Sequence, residues 1–314
     1  MDSLDVVTFG EAMAMFVADS TGDLAGVEHF TKRMAGAESN VAVGLARLGL
    51  RVGWASRLGE DSFGRFVRDS LARENVDCGR VVTDPRAPTG FLLKTRAERG
   101  ADPRVEYYRR GSAASRLSRA EFDGDYFRSA RHLHMTGITP ALSDSALDYS
   151  LCAQECMRAA GRSISFDPNL RPALWPSERA MAECINALAA EADWVLPGLG
   201  EGRLLTGLTE PRDIADFYLE RGAKLVVIKL GADGAYFRDA RHDGVVAGVA
   251  VRHVVDTVGA GDGFAVGVVS ALLEGRPVAE AVMRGNRIGA FAIQVEGDMD
   301  GLPTRARLDA AERQ

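Results

Sequence analysis

Between residues 118 and 228 the sequence alternates regularly between segments with helical spacing of apolar residues and short apolar runs. The helical segments are 118–129, 144–160, 177–190 and 211–220, and the short runs are 131–136, 163–166, 194–196 and 225–228. Strands that alternate with helices form right-handed βαβ units, in which the strands lie parallel in one sheet. The pattern therefore predicts an α/β fold with a doubly wound, mostly parallel sheet.

Polar, glycine-bearing clusters come directly after several of the predicted strands. They begin at Asp167, Pro197 and Lys229, and a fourth covers residues 256–262 after an apolar run, 245–255, that we interpret as a strand. The carboxyl ends of parallel strands meet at one edge of a sheet, and ligands bind there. We therefore expect one functional site at that edge.

The fourth cluster, DTVGAGD at 256–262, precedes a long segment of small and apolar residues and predicts a glycine turn that enters a helix. The first N–H groups of a helix are unpaired and carry partial positive charge, so they bind anions, and small residues at 259–261 let a phosphate approach closely. Asp262 would lie beside that phosphate, where it could take a proton from an attacking hydroxyl. The alternative is a tight turn in which Asp262 only caps a helix.

A second glycine turn, AGAESN at 35–40, precedes a predicted helix at 41–48 and places Asn40 in its first turn. Another helix, predicted from Ser62 to Glu74, has Ser62 as a possible N-cap. The last predicted helix, 278–296, carries Asn286 and small residues on one face, which would allow either close helix packing or contact with a flat ligand.

Four short segments in a polar context predict a small accessory sheet. They lie at 12–17, 28–34, 91–95 and 104–110, with a charged loop at 97–103. A sheet of this size over a cleft acts as a lid. The predicted division is a core of residues 1–11, 35–87 and 113–314 and a lid of residues 12–34 and 88–112.

The composition argues against several classes of function. With 46% hydrophobic and 26% charged residues, the 314-residue chain is expected to have a buried core. Its net charge of −6 argues against a nucleic-acid partner, because phosphate backbones attract basic surfaces. The sequence has no apolar run long enough to span a membrane, and it starts with acidic residues, so we expect a cytoplasmic protein with no membrane partner.

The residues that often carry metal or phosphate chemistry are sparse. None of the four lysines follows a glycine as in a P-loop, and none of the four cysteines forms a CxxC pair. His132 and His134 alternate on a predicted strand and share a face, which favours a satisfied structural role. A metal held by histidines is therefore not expected.

The two glycine turns, with the segment GEDSFG at 59–64, resemble the motifs of the ribokinase-like (PfkB-type) carbohydrate kinases, and the resemblance extends over essentially all 314 residues. It implies a doubly wound core with a small β lid, and transfer of a phosphoryl group from ATP, with Mg²⁺, to a hydroxyl of a small-molecule sugar or sugar acid. It also implies roles for individual residues. These are Asp262 as general base; the N–H groups of Gly259, Ala260 and Gly261 as anion hole; Gly36, Asn40 and Asp298 beside the sugar; Lys229, Gly231, Gly234, Asn286 and Asn169 beside the nucleotide; and Glu201 and Asp256 near the metal.

Residues 106–115, EYYRRGSAAS, resemble the corresponding segment of 2-keto-3-deoxygluconate kinases, in which a tyrosine and an arginine hold the sugar acid. Tyr107 and Arg109 are the matching positions, and their spacing puts them on one face of a strand. Arg171, in an Asp-x-Asn-x-Arg segment, matches another arginine on the substrate side. Guanidinium groups pair with carboxylates in a bidentate manner, so the resemblance implies phosphorylation of 2-keto-3-deoxygluconate to its 6-phosphate.

Two departures keep alternatives open. Gly198 stands where the family usually has the asparagine of an Asn-x-x-Glu motif, and Phe91 and Leu92 stand where a lid tyrosine is often found. A fructokinase or another sugar kinase of the family is one alternative, and a non-catalytic nucleotide- or sugar-binding member is another. Because lid sheets in this fold often pair across a dimer, we also expect a homo-oligomer.

Overall fold

The computed structural model of the chain describes residues 3–96 and 103–313. Its strands are β1 (Val6–Phe9), β2 (Met13–Ala18), β3 (Phe30–Ala35), β4 (Val52–Gly59), β5 (Asp77–Asp84), β6 (Phe91–Lys94), β7 (Val105–Tyr108), β8 (His132–Thr136), β9 (Ser163–Asp167), β10 (Trp194–Val195), β11 (Leu225–Lys229), β12 (Ala235–Asp239) and β13 (Asp243–Val246). Its α-helices are α1 (Ala37–Arg47), α2 (Ser62–Arg73), α3 (Gly124–Arg128), α4 (Asp144–Ala159), α5 (Glu178–Ala190), α6 (Leu199–Thr206), α7 (Pro211–Leu219), α8 (Ala260–Leu273), α9 (Val278–Ala292) and α10 (Arg305–Glu312).

The larger sheet has the strand order β13-β12-β11-β10-β9-β8-β1-β4-β5. All pairs from β11 to β5 are parallel, and β12 and β13 add an antiparallel edge. The chain moves outward from β1 in one direction through β4 and β5, and in the other through β8 to β11. The strand order therefore reverses between β1 and β8, and a crevice forms at such a point in doubly wound sheets.

Helices cover both faces of this sheet, as the alternation predicts. One buried apolar cluster packs α3 to α7 on one face, with Phe166, Met157 and Ile185 among its members. The other cluster packs α1, α2, α8, α9 and α10 on the opposite face, with Trp54 and Val266 among its members. The predicted doubly wound, mostly parallel α/β fold is confirmed.

A separate four-stranded sheet has the order β3-β2-β6-β7. One of its faces is apolar and buried and carries Met13, Met15, Val17, Ala35 and Leu92. We call it the second sheet. The loop predicted at 97–103 lies outside the described residues except for Pro103.

Several predicted elements differ from the structure. The run at 245–255 is a strand only as far as Val246, because Asn286 donates hydrogen bonds to the carbonyl oxygens of Val246 and Ala247 where the pairing with β12 ends. The helix predicted at 118–129 consists of a 3₁₀ turn and the short α3. The N-cap of α2 is Asp61, whose side chain accepts from the Gly64 N–H, and not Ser62.

Other elements had no counterpart in the prediction or end at another residue. The last helix predicted at 278–296 ends at Ala292. The strands β5 and β12 and the helices α6 and α10 were not predicted. No helix in the described part of the chain is long and apolar enough to cross a bilayer.

The paired histidines of β8 are buried, and the predicted satisfied role holds for His132, whereas His134 Nε2 has no partner among the described residues. Both rings are buried, and His132 is hydrogen-bonded through its two nitrogens to Ser163 and Ser165 at 2.8 Å. His134 Nδ1 contacts Ser165 at the same distance, and burial lowers the pKa of both histidines. As neutral rings they therefore join β8 to the neighbouring strand β9.

Candidate active site

A cavity of about 540 Å³ opens at the carboxyl edge of the larger sheet, below the second sheet. Glu11 follows β1 and Ile138 follows β8, so the cavity lies where the strand order reverses. Residues after β9 and β11 and the start of α8 complete its wall. The polar clusters predicted to meet at one edge of the sheet therefore do meet. We call this space the acceptor cavity.

The start of α8 forms one end of the acceptor cavity. Its N-cap, Gly259, has a φ of 84°, and a Cβ atom there would lie 2.3 Å from the carbonyl oxygen of Asp298, so only glycine fits this turn. The N–H groups of Gly259 and Gly261 have no acceptor within the described part of the protein, whereas the Ala260 N–H contacts the Thr257 carbonyl oxygen at 3.4 Å. This geometry suits an anion at the helix N-terminus.

Asp262 lies in the first turn of α8 and is 8% exposed. Asn40 Nδ2 donates to its Oδ2 at 2.8 Å, and Asn169 Nδ2 donates to its Oδ1 at 3.3 Å. Burial, followed by the negative charges of Asp167 and Asp298, raises the pKa of Asp262 to about 7, although the Asn40 hydrogen bond opposes the shift. Two amide groups thus orient a carboxylate that can accept a proton near neutral pH.

Lys229, at the end of β11, places an ammonium group beside the helix start. Its Nζ donates to Asp167 Oδ2 at 2.7 Å and lies 3.5 Å from where a Cβ atom of Gly261 would be. Burial would lower the pKa of Lys229, but Asp167 and Glu201 outweigh that effect and raise it. The ammonium therefore stays charged next to the unpaired N–H groups.

A second cavity of about 340 Å³ lies on the other side of the helix start. Gly231 and Gly234 from the turn after β11 line it, together with Gly289 and Ala290 of α9. Asn286 also lines this cavity, where its amide holds the segment after β13. The small residues of α9 thus border open space, as a flat ligand would require. We call this space the nucleotide cavity, and it shares Lys229 and Gly261 with the acceptor cavity.

The structure changes the interpretation of Arg109. Its guanidinium pairs with Glu11 Oε2, at 2.5 Å from Nη2 and 2.6 Å from Nε, and both side chains are buried. Ser112 donates a further hydrogen bond to Glu11. Arg109 lines the acceptor cavity, but Glu11 already pairs its charge, and its contact with a substrate stays a prediction. Tyr107 is 46% exposed. The guanidinium carbon of Arg109 lies over the Tyr107 ring, 5.6 Å from the ring centroid.

Arg171 keeps its charge open to the cavity. Its Nη1 donates to the carbonyl oxygens of Asn169 and Leu170 at 3.2 and 2.9 Å, and it makes no ion pair among the residues that the structure describes. Asn169 has a left-handed φ of 42°, contacts Asp262 and lines the acceptor cavity, which Lys229 and Gly261 also line, and its contact with the nucleotide stays a prediction.

The turn before α1 brings another carboxylate, that of Glu38, into the acceptor cavity. Gly36 has a φ of 152°, and a Cβ atom there would lie 2.5 Å from the Glu11 carbonyl oxygen. Glu38, two residues on, accepts hydrogen bonds at Oε1 from Thr136 and Thr139, and burial raises its pKa. Its Oε2 has no partner among the described residues. Glu38 lies within the second glycine turn, yet no role for it was predicted from the sequence.

The two predicted metal ligands are engaged by other groups. Glu201 lines the acceptor cavity, but its carboxylate accepts from the N–H groups of Gly198 and Leu170 at 2.7 and 2.8 Å. Asp256 forms an ion pair with Lys94 at 2.6 Å, so the prediction of a metal ligand there is not supported. Within the described ranges no three acidic, histidine or cysteine side chains cluster as a metal site.

Comparison with known proteins adds independent evidence. The profile of the pfkB family carbohydrate kinases matches residues 3–305. The 2-dehydro-3-deoxygluconokinase of Bacillus subtilis (strain 168) is 55% identical over 306 residues, which cover 97% of this chain and 94% of that protein. The probable fructokinase-6, chloroplastic, of Arabidopsis thaliana is 32% identical, over 98% of this chain and 82% of its own length.

Two solved structures are similar over nearly the whole chain. The PfkB protein from Polaromonas sp. JS666 has a TM-score of 0.91 and 56% identity, covering 98% of this chain and 100% of that one. A putative ribokinase II from E. coli in complex with ATP and Mg²⁺ has a TM-score of 0.90 and 26% identity, covering 99% and 100%.

Proposed function

Because the chain belongs to the pfkB family of carbohydrate kinases, which are phosphotransferases, we propose that it phosphorylates 2-keto-3-deoxygluconate, also named 2-dehydro-3-deoxygluconate, at the 6-hydroxyl with ATP. The observation that carries the proposal is the position of Asp262. It lies between the acceptor cavity and the start of α8, held by two amide side chains, with the nucleotide cavity on the other side of the same turn.

In this mechanism Asp262 takes the proton of the sugar hydroxyl as its oxygen attacks the terminal phosphorus of ATP. The phosphorus–oxygen bond to ADP breaks, and the proton later leaves Asp262 for solvent. The N–H groups of Gly259 and Gly261, with the Lys229 ammonium, neutralise charge on the transferred group. Phosphoryl transfer depends on positioning and charge neutralisation of this kind more than on covalent help from the protein.

The acid substrate is supported by Arg171. Arg109 is already neutralised by Glu11, whereas Arg171 adds a positive charge to the acceptor cavity that no described carboxylate pairs directly. A carboxylate on the substrate would satisfy that charge. Gly36, Asn40, Tyr107 and Asp298 also line the acceptor cavity, where they would shape the sugar site. The greater similarity to a 2-dehydro-3-deoxygluconokinase than to a plant fructokinase points the same way.

The residues present also suit Mg²⁺ bound through the nucleotide. Mg²⁺ usually takes one or two carboxylates and the phosphates of its substrate, with water in the remaining positions, and does not need a protein cage. Asp167 and Glu201 line the acceptor cavity beside Lys229 and are the carboxylates that would hold it, directly or through water. The ion would supply further neutralisation of phosphate charge.

The second sheet suggests both a lid and a homo-oligomer. Its face over the acceptor cavity would exclude water, which competes with the sugar as phosphoryl acceptor. Its outer strand β7 is an exposed edge with Tyr107 and Tyr108, and such edges are usually covered or paired. Sedimentation velocity should show a dimer or a larger assembly, and a monomer across the working concentration range would exclude pairing through β7.

The function is tested by ADP release with ATP and Mg²⁺ in the presence of 2-keto-3-deoxygluconate, gluconate, fructose, ribose or no sugar. We expect turnover on the keto-deoxy acid and little on the others. Strong turnover on fructose with none on the acid would make the protein a fructokinase. If no sugar caused ADP release while the protein still bound ATP, the result would favour the non-catalytic alternative.

A further inference from the structure

A buried lysine outside the proposed reaction connects the second sheet to the anion-binding turn. Lys94 ends strand β6 and is 2% exposed. Its Nζ lies 2.6 Å from Asp256 Oδ2 and 3.0 Å from Asp298 Oδ1, and both carboxylates are buried. A fully buried lysine is rare unless it is paired, and this one is paired twice.

The two carboxylates hold opposite sides of the turn that begins α8. Asp256 starts the turn, and its Oδ1 accepts the N–H of Val258 at 3.1 Å. Asp298 contacts the turn through its backbone, because its carbonyl oxygen lies against Gly259. The position of Gly259 and of its N–H group therefore depends on where Asp256 and Asp298 are held.

Without a cation between them, these carboxylates would repel each other in a site of low polarity, where the repulsion is strong. The pair carries two negative charges and Lys94 one positive charge. Burial would lower the pKa of Lys94, but Asp298 and Asp256 outweigh it and raise the pKa, so the ammonium is charged. Lys94 is thus the cation that allows the two acids to sit on either side of the turn.

Other ion pairs join the same two regions, but they lie nearer the surface. Arg96 pairs with Glu296 at 2.9 Å, and Arg33 pairs with Asp300 at 3.0 Å. Both link the second sheet to the loop after α9 without contacting residues 256–259. Removing one of these surface ion pairs breaks a link between the second sheet and the loop after α9, while Lys94 stays in place beside Asp256 and Asp298.

We propose that Lys94 is a positioning residue whose ammonium acts as a built-in monovalent cation, fixing the turn at 256–259 for phosphoryl transfer and coupling that turn to the second sheet. The proposal rests on the proposed role of this turn as anion hole. It does not depend on which sugar is phosphorylated, because Lys94 lines neither cavity and acts on the turn through Asp256 and Asp298.

The test compares Lys94→Ala, Lys94→Met and Arg96→Met in steady-state assays, on whichever sugar the wild-type protein turns over. Truncation to alanine leaves space beside two carboxylates for a small cation, whereas methionine fills that space without charge. We expect kcat to fall at least about ten-fold in both Lys94 variants, with less change in the KM of the sugar, as for loss of an oxyanion contact. Ammonium or methylammonium should restore activity to Lys94→Ala but not to Lys94→Met, and Arg96→Met should keep wild-type kinetics.

A role in packing alone predicts the opposite pattern, in which Lys94→Met stays active and no cation rescues Lys94→Ala. That result would overturn the proposal. A rate measurement on the wild-type protein tests the proposal independently, because it does not rely on the folding of a variant. Its rate should be the same when the monovalent cation is tetramethylammonium, sodium, potassium or ammonium at equal ionic strength, and a requirement for one small cation would also overturn the proposal. Turnover of the wild-type protein on any of the sugars tested for ADP release would show that the kinase function holds even if the Lys94 proposal fails.

Discussion

At the scale of single residues, the site depends on one carboxylate and the groups that surround it. Asp262 is hydrogen-bonded to Asn40 and Asn169, and burial, followed by two further carboxylates, raises its pKa. A residue that only capped α8 would need neither the buried position nor the two amide partners. The structure therefore favours the general-base interpretation over the capping alternative.

Replacing Asp262 with asparagine keeps the size of the side chain and removes its capacity to accept a proton. We expect kcat to fall by at least about 10²-fold, within the range for loss of a general base, while ATP binding measured by calorimetry stays close to wild type. Asp213→Asn, an exposed change in the first turn of α7, is the matched control. Wild-type turnover in Asp262→Asn would rule out the assignment.

The raised pKa of Asp262 predicts a pH dependence with a definite sign. The base works when ionised, so kcat/KM should rise with pH through about 7 and level off above it. The Asn40 hydrogen bond lowers this pKa, so Asn40→Ala should move the midpoint to higher pH, whatever it does to the rate. Asn186→Ala, which removes an asparagine on α5 that bonds Leu205, should leave the midpoint unchanged. A midpoint that does not move in Asn40→Ala would contradict the assigned hydrogen bond.

The open charge of Arg171 predicts discrimination between acid and neutral sugars. Arg171→Met should raise the KM for the sugar acid by roughly 10- to 100-fold, because a hydrogen bond to a charged group contributes about 1.5–3 kcal/mol. The KM for a neutral sugar, if one is turned over, should change much less. Arg179→Met, on the exposed start of α5, is the control. Equal changes for acid and neutral sugars would remove the argument for a substrate carboxylate.

At the scale of elements, the important feature is the start of α8. Its glycine turn has a left-handed φ at Gly259 and close contact with Asp298, so the loop between α9 and α10 determines where the helix begins. Helix α9 packs along α8 and supplies the small residues of the nucleotide cavity. One helix terminus thus borders both cavities.

The two ends of α8 allow a matched test of this turn. Gly259 and Gly275 both have left-handed φ values, 84° and 75°, but a Cβ atom meets Asp298 at the first position and open space at the second. Alanine at either position should cost about 1–2 kcal/mol of stability from backbone strain, and Gly259→Ala should cost more because its Cβ atom would collide with the Asp298 carbonyl oxygen. Only Gly259→Ala should also lower kcat, by about ten-fold or more, because the N–H groups shift. Thermal unfolding and steady-state kinetics of both variants check this, and equal kcat values would contradict it.

At the scale of the whole molecule, two sheets meet over one cavity. Helix α8, packed on the larger sheet, supplies the proposed base and the glycine turn, and the second sheet supplies Tyr107 and the adjacent Arg109. Lys94 and the two surface ion pairs join the second sheet to the loop after α9. Binding of both substrates would therefore stabilise the second sheet against the core.

Hydrogen exchange offers a direct measurement of that effect. On addition of the sugar acid with a non-hydrolysable ATP analogue, amides of β7 (Val105–Tyr108) should exchange more slowly, because closure reduces local opening. Helix α4 (Asp144–Ala159) lies on the far face of the larger sheet and should exchange at its usual rate. Unchanged exchange in β7 at saturating ligand would show that the second sheet is not a lid.

Much of the site could be predicted because it is built from local signals. Asp262, Lys229 and Arg171 each follow or begin an element whose position the alternation of apolar segments predicts, and parallel strands bring such residues to one edge. Glu11 follows the same rule after β1 and could have been found in that way. Lys94 could not, because it ends an apolar strand and its partner Asp298 is 204 residues away.

The sequence by itself determined the class of fold, the edge of the sheet that carries the site and the helix start that can bind an anion. These follow from periodicity and from glycine positions, which act over a few residues. The tertiary structure decided which charges are free: Glu11 neutralises Arg109, Lys94 holds Asp256 and Asp298, and Arg171 stays open. The energy of a charge depends on its distance to other charges and on its burial, and both are set by contacts between segments far apart in the chain.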